Sequence, residues 1–155
     1  MPRTFGRQYP YEQLPKYPHM GPEDAAIWSI FIANNPSVFS SVFYDVRIGK
    51  GVTTGIPATD PIAADFQQLT QKRIDVVAQG KNTLWIIEIK PRASVIAIGQ
   101  ATAYLELFSE TYNIHTAIQA AVITDMPDTD ILNVANTLGV TILYALTNNI
   151  KQLGN

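Results

Sequence analysis

The chain has 155 residues, 46% of them hydrophobic and 15% charged, with a net charge of −2. That is enough for one globular domain with a real core, and its composition is not that of a disordered chain. With no cysteine and only two histidines, His19 and His115, disulfides, thiolate sites and a typical zinc centre are excluded. Any bound metal must rely on carboxylates, which suit Mg²⁺, Mn²⁺ or Ca²⁺.

No apolar run reaches the roughly 18 residues that a membrane helix needs, and the N-terminus lacks the apolar core of a signal peptide. The expectation is a chain that stays off the membrane, in the cytoplasm. The pI of about 5.6 argues against strong non-specific binding to nucleic acid. The distribution of charge softens this. Every basic residue except Lys151 lies between Arg3 and Arg92, whereas Glu106, Glu110, Asp125, Asp128 and Asp130 dominate the rest. A basic side and an acidic far side are compatible with a nucleic-acid face.

Residues 1–21 read as an arm. Pro2, Pro10, Pro15 and Pro18 are interleaved with Phe5, Tyr9, Tyr11 and Tyr17, so no regular element is expected. Four aromatics exceed what a solvated tail needs. They predict packing on the arm's own domain or on a partner subunit, another copy of the chain included. A helix starts at Pro22, with Glu23 and Asp24 at its positive end, and Asn34-Asn35-Pro36 stops it. A strand over 41–48 alternates Val42, Tyr44, Val46 and Ile48 on one side with Phe43, Asp45 and Arg47 on the other. A loop of Gly, Thr and Pro fills 49–61. A short helix over 62–69 puts Ile62, Phe66 and Leu69 on one face.

Two apolar strands follow, 73–78 and 84–90, joined by Gly80-Lys81-Asn82. The helical period then holds over 94–112 through Ala97, Ala101, Leu105 and Phe108. A strand over 116–124, a helix starting at Asp128-Thr129-Asp130 and ending before Gly139, and a strand over 140–145 complete the domain. Residues 22–146 form the domain and 147–155 a polar tail. The fold class is α/β, a mixed central sheet with helices on its faces.

The chemistry concentrates on the hairpin. If Lys81-Asn82 is a two-residue loop, Asp75 lies opposite Glu88 on the same face, with Cβ atoms about 4.5–5.5 Å apart. Two such carboxylates repel unless a cation separates them, and a divalent ion with oxygen ligands at about 2.0–2.5 Å fits between them. Lys90 shares the face of Glu88 by strand periodicity. A lysine there can stabilise phosphoryl charge or orient an attacking water. A structural salt-bridge set would not leave an unpaired negative charge on central strands. Lys72, Arg73 and Arg92 lie beside the cluster and are candidate phosphate contacts. His115 has no acid–base partner and is read as structural.

Asp75, twelve intervening residues and Glu88-Ile89-Lys90 resemble the signature of the PD-(D/E)XK nucleases, with Ile74 in place of the written proline. Gln100-Ala101-Thr102-Ala103-Tyr104 is similar to the QxxxY element of their recombination-exonuclease-like subset. The element order also matches. The resemblance implies a restriction-endonuclease-like αβββαβ core and a Mg²⁺- or Mn²⁺-dependent nuclease acting on DNA. Asp75, Glu88 and the main-chain carbonyl of Ile89 would hold metal, and Lys90 would assist the water. Glu23, or failing that Asp24, would add a metal contact from the first helix. Gln100 and Tyr104 would shape the site or touch nucleic acid. The alternative is a non-catalytic nuclease-fold module, such as a virion neck or DNA-processing component of a tailed phage, that docks a partner through its arm. No Walker, Rossmann or GxSxG spacing offers a third route.

Overall fold

A computed structural model of the chain describes residues 4–52, 55, 57 and 59–154, without the side chains of Phe66 and Gln68. Six strands form one sheet in chain order: β1 (Gln8–Pro10), β2 (Ser41–Ile48), β3 (Lys72–Gln79), β4 (Thr83–Ile89), β5 (Ala117–Thr124) and β6 (Val140–Tyr144). β1 to β4 pair antiparallel, and β4, β5 and β6 run parallel. Helices α1 (Pro22–Asn34), α2 (Ala63–Thr70), α3 (Val95–Thr111) and α4 (Thr129–Thr137) supply the connections. The order helix, three antiparallel strands, helix, strand is the αβββαβ order expected from the sequence. No helix among the described residues is long and apolar enough to cross a membrane.

Both faces of the sheet are covered, which is why β3 and β4 are almost continuously apolar. On one face Trp28 and Phe31 of α1 pack with Val42, Tyr44, Val76, Ala78 and Ile87. On the other, Ala97, Ile98 and Ala101 of α3 and Ala135 of α4 pack with Ala120, Val122 and Ile142. Phe108 of α3 joins Val77 and Ile86 further along. Ser94 caps α3 by accepting the Ile96 N–H, and Asp128 caps α4 through the Asp130 and Ile131 N–H groups.

The expectation for the arm needs correcting. Gln8–Pro10 pairs with Phe43, Val42 and Ser41 as an edge strand, ending on the one residue that cannot donate to a ladder. The arm's aromatics pack against their own domain, Tyr17 buried and Phe5, Tyr9 and Tyr11 half-buried. Phe5 meets Phe43, Phe108 and Tyr112, Tyr9 meets Tyr44, and Tyr11 meets Trp28 and Phe39. Tyr11 also donates its hydroxyl to the Asn35 carbonyl at 2.7 Å.

The polar tail is likewise part of the fold. Asn149 is 1% exposed; its N–H donates to Asn35 Oδ1 at 2.6 Å, and its side-chain amide donates to the Tyr144 carbonyl. Leu153 closes the same core as Trp28. By contrast, the apolar face expected on α2 is not buried. Ile62 is 59% and Leu69 74% exposed, and the Phe66 side chain lies outside the described residues.

One irregularity positions the site. Val42 and Tyr44 belong to the α1-side core, but Val46 and Ile48 belong to the α3-side core. The single-sided alternation expected for β2 therefore fails. The change of face occurs at Asp45, which holds a left-handed φ of 54°. The β2–β3 register pairs Tyr44 with Val76 and Val46 with Ile74, and the intervening Asp45 and Asp75 are not ladder partners. Asp is among the few residues that tolerate this backbone region, and its side chain is held there by Arg73 at 3.0 Å.

Candidate active site

The β3–β4 hairpin has the expected register. Gly80 N–H donates to the Thr83 carbonyl, and Gln79 pairs with Leu84, so Lys81-Asn82 forms the loop. The ladder runs to Val76–Ile87 and stops there. Beyond that point β3 continues on β2 and β4 continues on β5. The two strands fork, and Asp75 and Glu88 are the first residues past the fork. A ladder hydrogen bond is replaced by a side-chain one: Ile89 N–H donates to Asp75 Oδ2 at 2.9 Å.

Glu88 is 2% exposed, and its Oε1 has no hydrogen-bond partner. Burial first, and the Asp75 carboxylate second, push its pKa up to about 9, with Lys90 acting against both. Asp75 is also raised, by burial above all, while the Ile89 N–H and Lys90 hold it down. An uncompensated carboxylate pair in a water-poor site is costly, and a cation is its natural complement.

Among the described residues no group of three His, Cys, Asp or Glu side chains is placed to hold a metal. A closed protein cage is therefore absent from that part of the chain. The pair Asp75 and Glu88 does fit Mg²⁺ or Mn²⁺, which are bound through one or two carboxylates and keep several waters. The orphaned Glu88 Oε1 is the atom that makes the fit specific.

Lys90 follows directly on β4, half-buried, with its N–H donated to the Ile123 carbonyl. Its charge acts on Asp75, Glu88 and Asp24 together. The α1 acid that meets the cluster is thus Asp24 and not Glu23. Asp24 is half-buried, and its pKa is raised by burial first, with Lys90 opposing and Glu23 adding. Glu23 points to solvent, one position round the helix. Helix-start acids are adjacent in sequence and about 100° apart on the helix, so composition alone does not choose between them.

From α3, Tyr104 reaches the same charges. Burial first, then Glu88 and Asp75, raise its pKa, and Gln100 pulls the other way. Tyr104 thus feels the acid pair, and Gln100 is its hydrogen-bond partner one turn earlier on α3. Arg73 is not free to take a phosphate in the way the sequence suggested, because its guanidinium lies 3.0 and 3.4 Å from the two oxygens of Asp45. Lys72 is exposed at the start of β3, opposite Ile48. Arg92 is exposed in a taut turn: its φ is 44°, and its N–H donates to Asp125 Oδ1 at 2.8 Å. His115 is exposed ahead of β5, away from these groups in the chain. Sequence reasoning missed Asp45 and His19. They meet at 3.5 Å, and together with Asp75, Pro18 and Met20 they line a water-sized hollow beside the cluster. Both adopt a left-handed φ of 54°, a region in which Asp and His are enriched among non-glycine residues.

No family model matches the chain, and no curated protein matches it. Among solved structures it is similar to protein VC1899 from Vibrio cholerae, with a TM-score of 0.46 and 13% identity over 84% of this chain and 31% of that one. The chain spans less than a third of that protein's length. A likeness so distant says nothing about chemistry, which has to be argued from the site itself.

Proposed function

We propose that this protein is a divalent-metal-dependent nuclease that hydrolyses phosphodiester bonds in DNA. The observation that carries the reading is the fork between β3 and β4. It sets two carboxylates together, leaves a buried Glu88 oxygen without a partner, and adds a lysine on the next turn of chain. Perturbed carboxylates of this kind cluster at functional sites.

Asp75, Glu88 and the Ile89 carbonyl would hold Mg²⁺ or Mn²⁺, which when bound supplies Lewis-acid polarisation and a lowered pKa for water. Ile89 contributes twice, since its N–H fixes the Asp75 carboxylate in place. Lys90 donates to a non-bridging oxygen of the scissile phosphate and stabilises the charge that grows there. Asp24 adds a negative charge that acts with Asp75 and Glu88 on the Lys90 ammonium. Tyr104 and Gln100 wall the site from α3 and orient the strand being cut.

The rival reading, a docking module without catalysis, drew on the arm's aromatics. Those rings pack on the protein's own domain. The deciding experiment incubates the protein with plasmid and with linear DNA in Mg²⁺, Mn²⁺ or EDTA, beside Glu88→Gln. Metal-dependent cutting that Glu88→Gln abolishes supports the nuclease. No cutting by folded protein in any condition overturns it in favour of the docking module.

A further inference from the structure

Next to the acid pair lies an open groove of about 270 Å³, lined by Lys90, Arg92, Ile96 and Gln100 among others. Lys90 also acts on Glu88, and Gln100 bonds Tyr104, which feels the charge of Glu88, so the groove adjoins the candidate active site. Its remaining wall is unusual. Ile96 on that wall is 76% exposed, and its neighbour Val95, outside the groove, is 61% exposed. Both stand in the first turn of α3, where the helix dipole favours acids and where α3 has none. Helix propensity does not select β-branched residues there, and neither side chain contributes much to the core.

Arg92 stands at the same lip. Its left-handed backbone is fixed by Asp125, and the next N–H, that of Ala93, donates to Thr124 Oγ1 at 3.0 Å, where Thr124 is 1% exposed. The turn that presents the guanidinium is therefore rigid on the protein side and free on the solvent side. Such strained, well-anchored turns are typical of ligand clamps. The groove thus combines two cations with an exposed aliphatic shelf.

We propose that this groove takes an unpaired nucleotide next to the scissile phosphate, with its base against Ile96 and its flanking phosphate on Arg92. The inference rests on the nuclease reading and narrows its substrate to DNA with a single-stranded or frayed segment. An intact duplex offers phosphates but no base face, so it leaves the aliphatic shelf in water. A duplex-binding surface also needs many phosphate contacts, and a chain of net charge −2 with two cations in its groove has few to offer. An unstacked base can cover an exposed apolar side chain while its phosphate meets a short basic track.

The test uses fluorescence anisotropy with Glu88→Gln protein, which holds substrate without cutting it under the nuclease reading. The probes are a blunt duplex and the same duplex with an unpaired tail. The tailed probe is expected to bind about tenfold more tightly. Ile96→Ser is expected to weaken the tailed probe about fivefold, through the apolar contact it removes, and to leave the blunt probe unchanged. Because Ile96 is exposed, the substitution should keep the melting temperature, which is checked in parallel. Equal binding of both probes, insensitive to Ile96→Ser, overturns the inference; cutting of DNA by the wild-type protein in the same series leaves the nuclease reading intact. A tail preference without any metal-dependent cutting upholds the groove and removes the nuclease. If Ile96→Ser changes the sedimentation behaviour of the protein and not its affinity for DNA, the shelf is a protein contact and the inference fails.

Discussion

Substituting Glu88 by Gln should make the metal-free protein more stable, and the size of the gain should depend on pH. In the fold the Glu88 carboxyl is raised from an ordinary 4.5 to about 9, chiefly by burial and then by Asp75. The unfolded chain releases this proton near 4.5, and the folded chain keeps it until about 9. The unfolded state therefore binds fewer protons throughout that window, and stability falls as pH rises through it. The rise corresponds to a ceiling of about 6 kcal/mol at about 1.36 kcal/mol per tenfold. Relaxation and water entry reduce what is realised to roughly 2–4 kcal/mol. Gln keeps the shape without the ionisation. Urea unfolding in EDTA at pH 5, 7 and 9 should show wild type losing this stability and Glu88→Gln not losing it. Millimolar Mg²⁺ at pH 8 should restore wild type by about 2.7 kcal/mol if it stands at a hundred times its dissociation constant, and should do little for the variant. Parallel pH profiles for the two proteins would refute the account of Glu88 as a buried acid awaiting a cation.

Three further outcomes follow from particular contacts. Asp45→Ala should cost about 1–2 kcal/mol, because Ala bears the left-handed strain and Arg73 loses its partner, whereas Asp45→Gly should cost less; urea unfolding that ranks them the other way would show that φ is not the constraint. Asn35→Ala should cost about 2–4 kcal/mol, since it strips the buried Asn149 N–H of its acceptor and removes the Asn35 amide's bonds to the Phe31 and Thr147 carbonyls; a loss under about 0.5 kcal/mol by thermal unfolding would contradict this. Under the nuclease reading, Asp24→Asn should slow cleavage about tenfold or more while Glu23→Gln leaves it nearly unchanged, and equal rates for the two variants would remove Asp24 from the site.

Much of this architecture was legible in the residues. The period-two and helical patterns placed nine of the elements to within a residue or two. The two-residue loop at Lys81-Asn82 fixed the register of the hairpin as far as Val76 and Ile87, and Asp75 and Glu88 are the next residues past its end. What escaped was set by tertiary contacts. Strand alternation assumes a uniform pleat, and one left-handed residue at Asp45 moves Val46 and Ile48 to the other core. The strand at Gln8–Pro10 exists because β2 offers an open edge, not because its own residues favour one. Asn149 looks like a tail residue until Asn35 is brought to it across 114 positions of chain. Arg73 looks like a phosphate contact until Asp45 is seen holding it. At the site, the carboxylate pair and the lysine were readable from spacing, but the choice of Asp24 over Glu23 needed the angle of α1 against the sheet.

The central claim is that Lys90 acts on a phosphate once a metal lies between Asp75 and Glu88. Its most direct test compares wild type with Lys90→Ala, measuring Mn²⁺ binding by calorimetry and DNA cleavage on the same preparations. The account predicts that Lys90→Ala still binds Mn²⁺ and no longer cuts DNA that wild type cuts. A wild-type protein that binds no Mn²⁺, or a Lys90→Ala protein that cuts as fast as wild type, would contradict it.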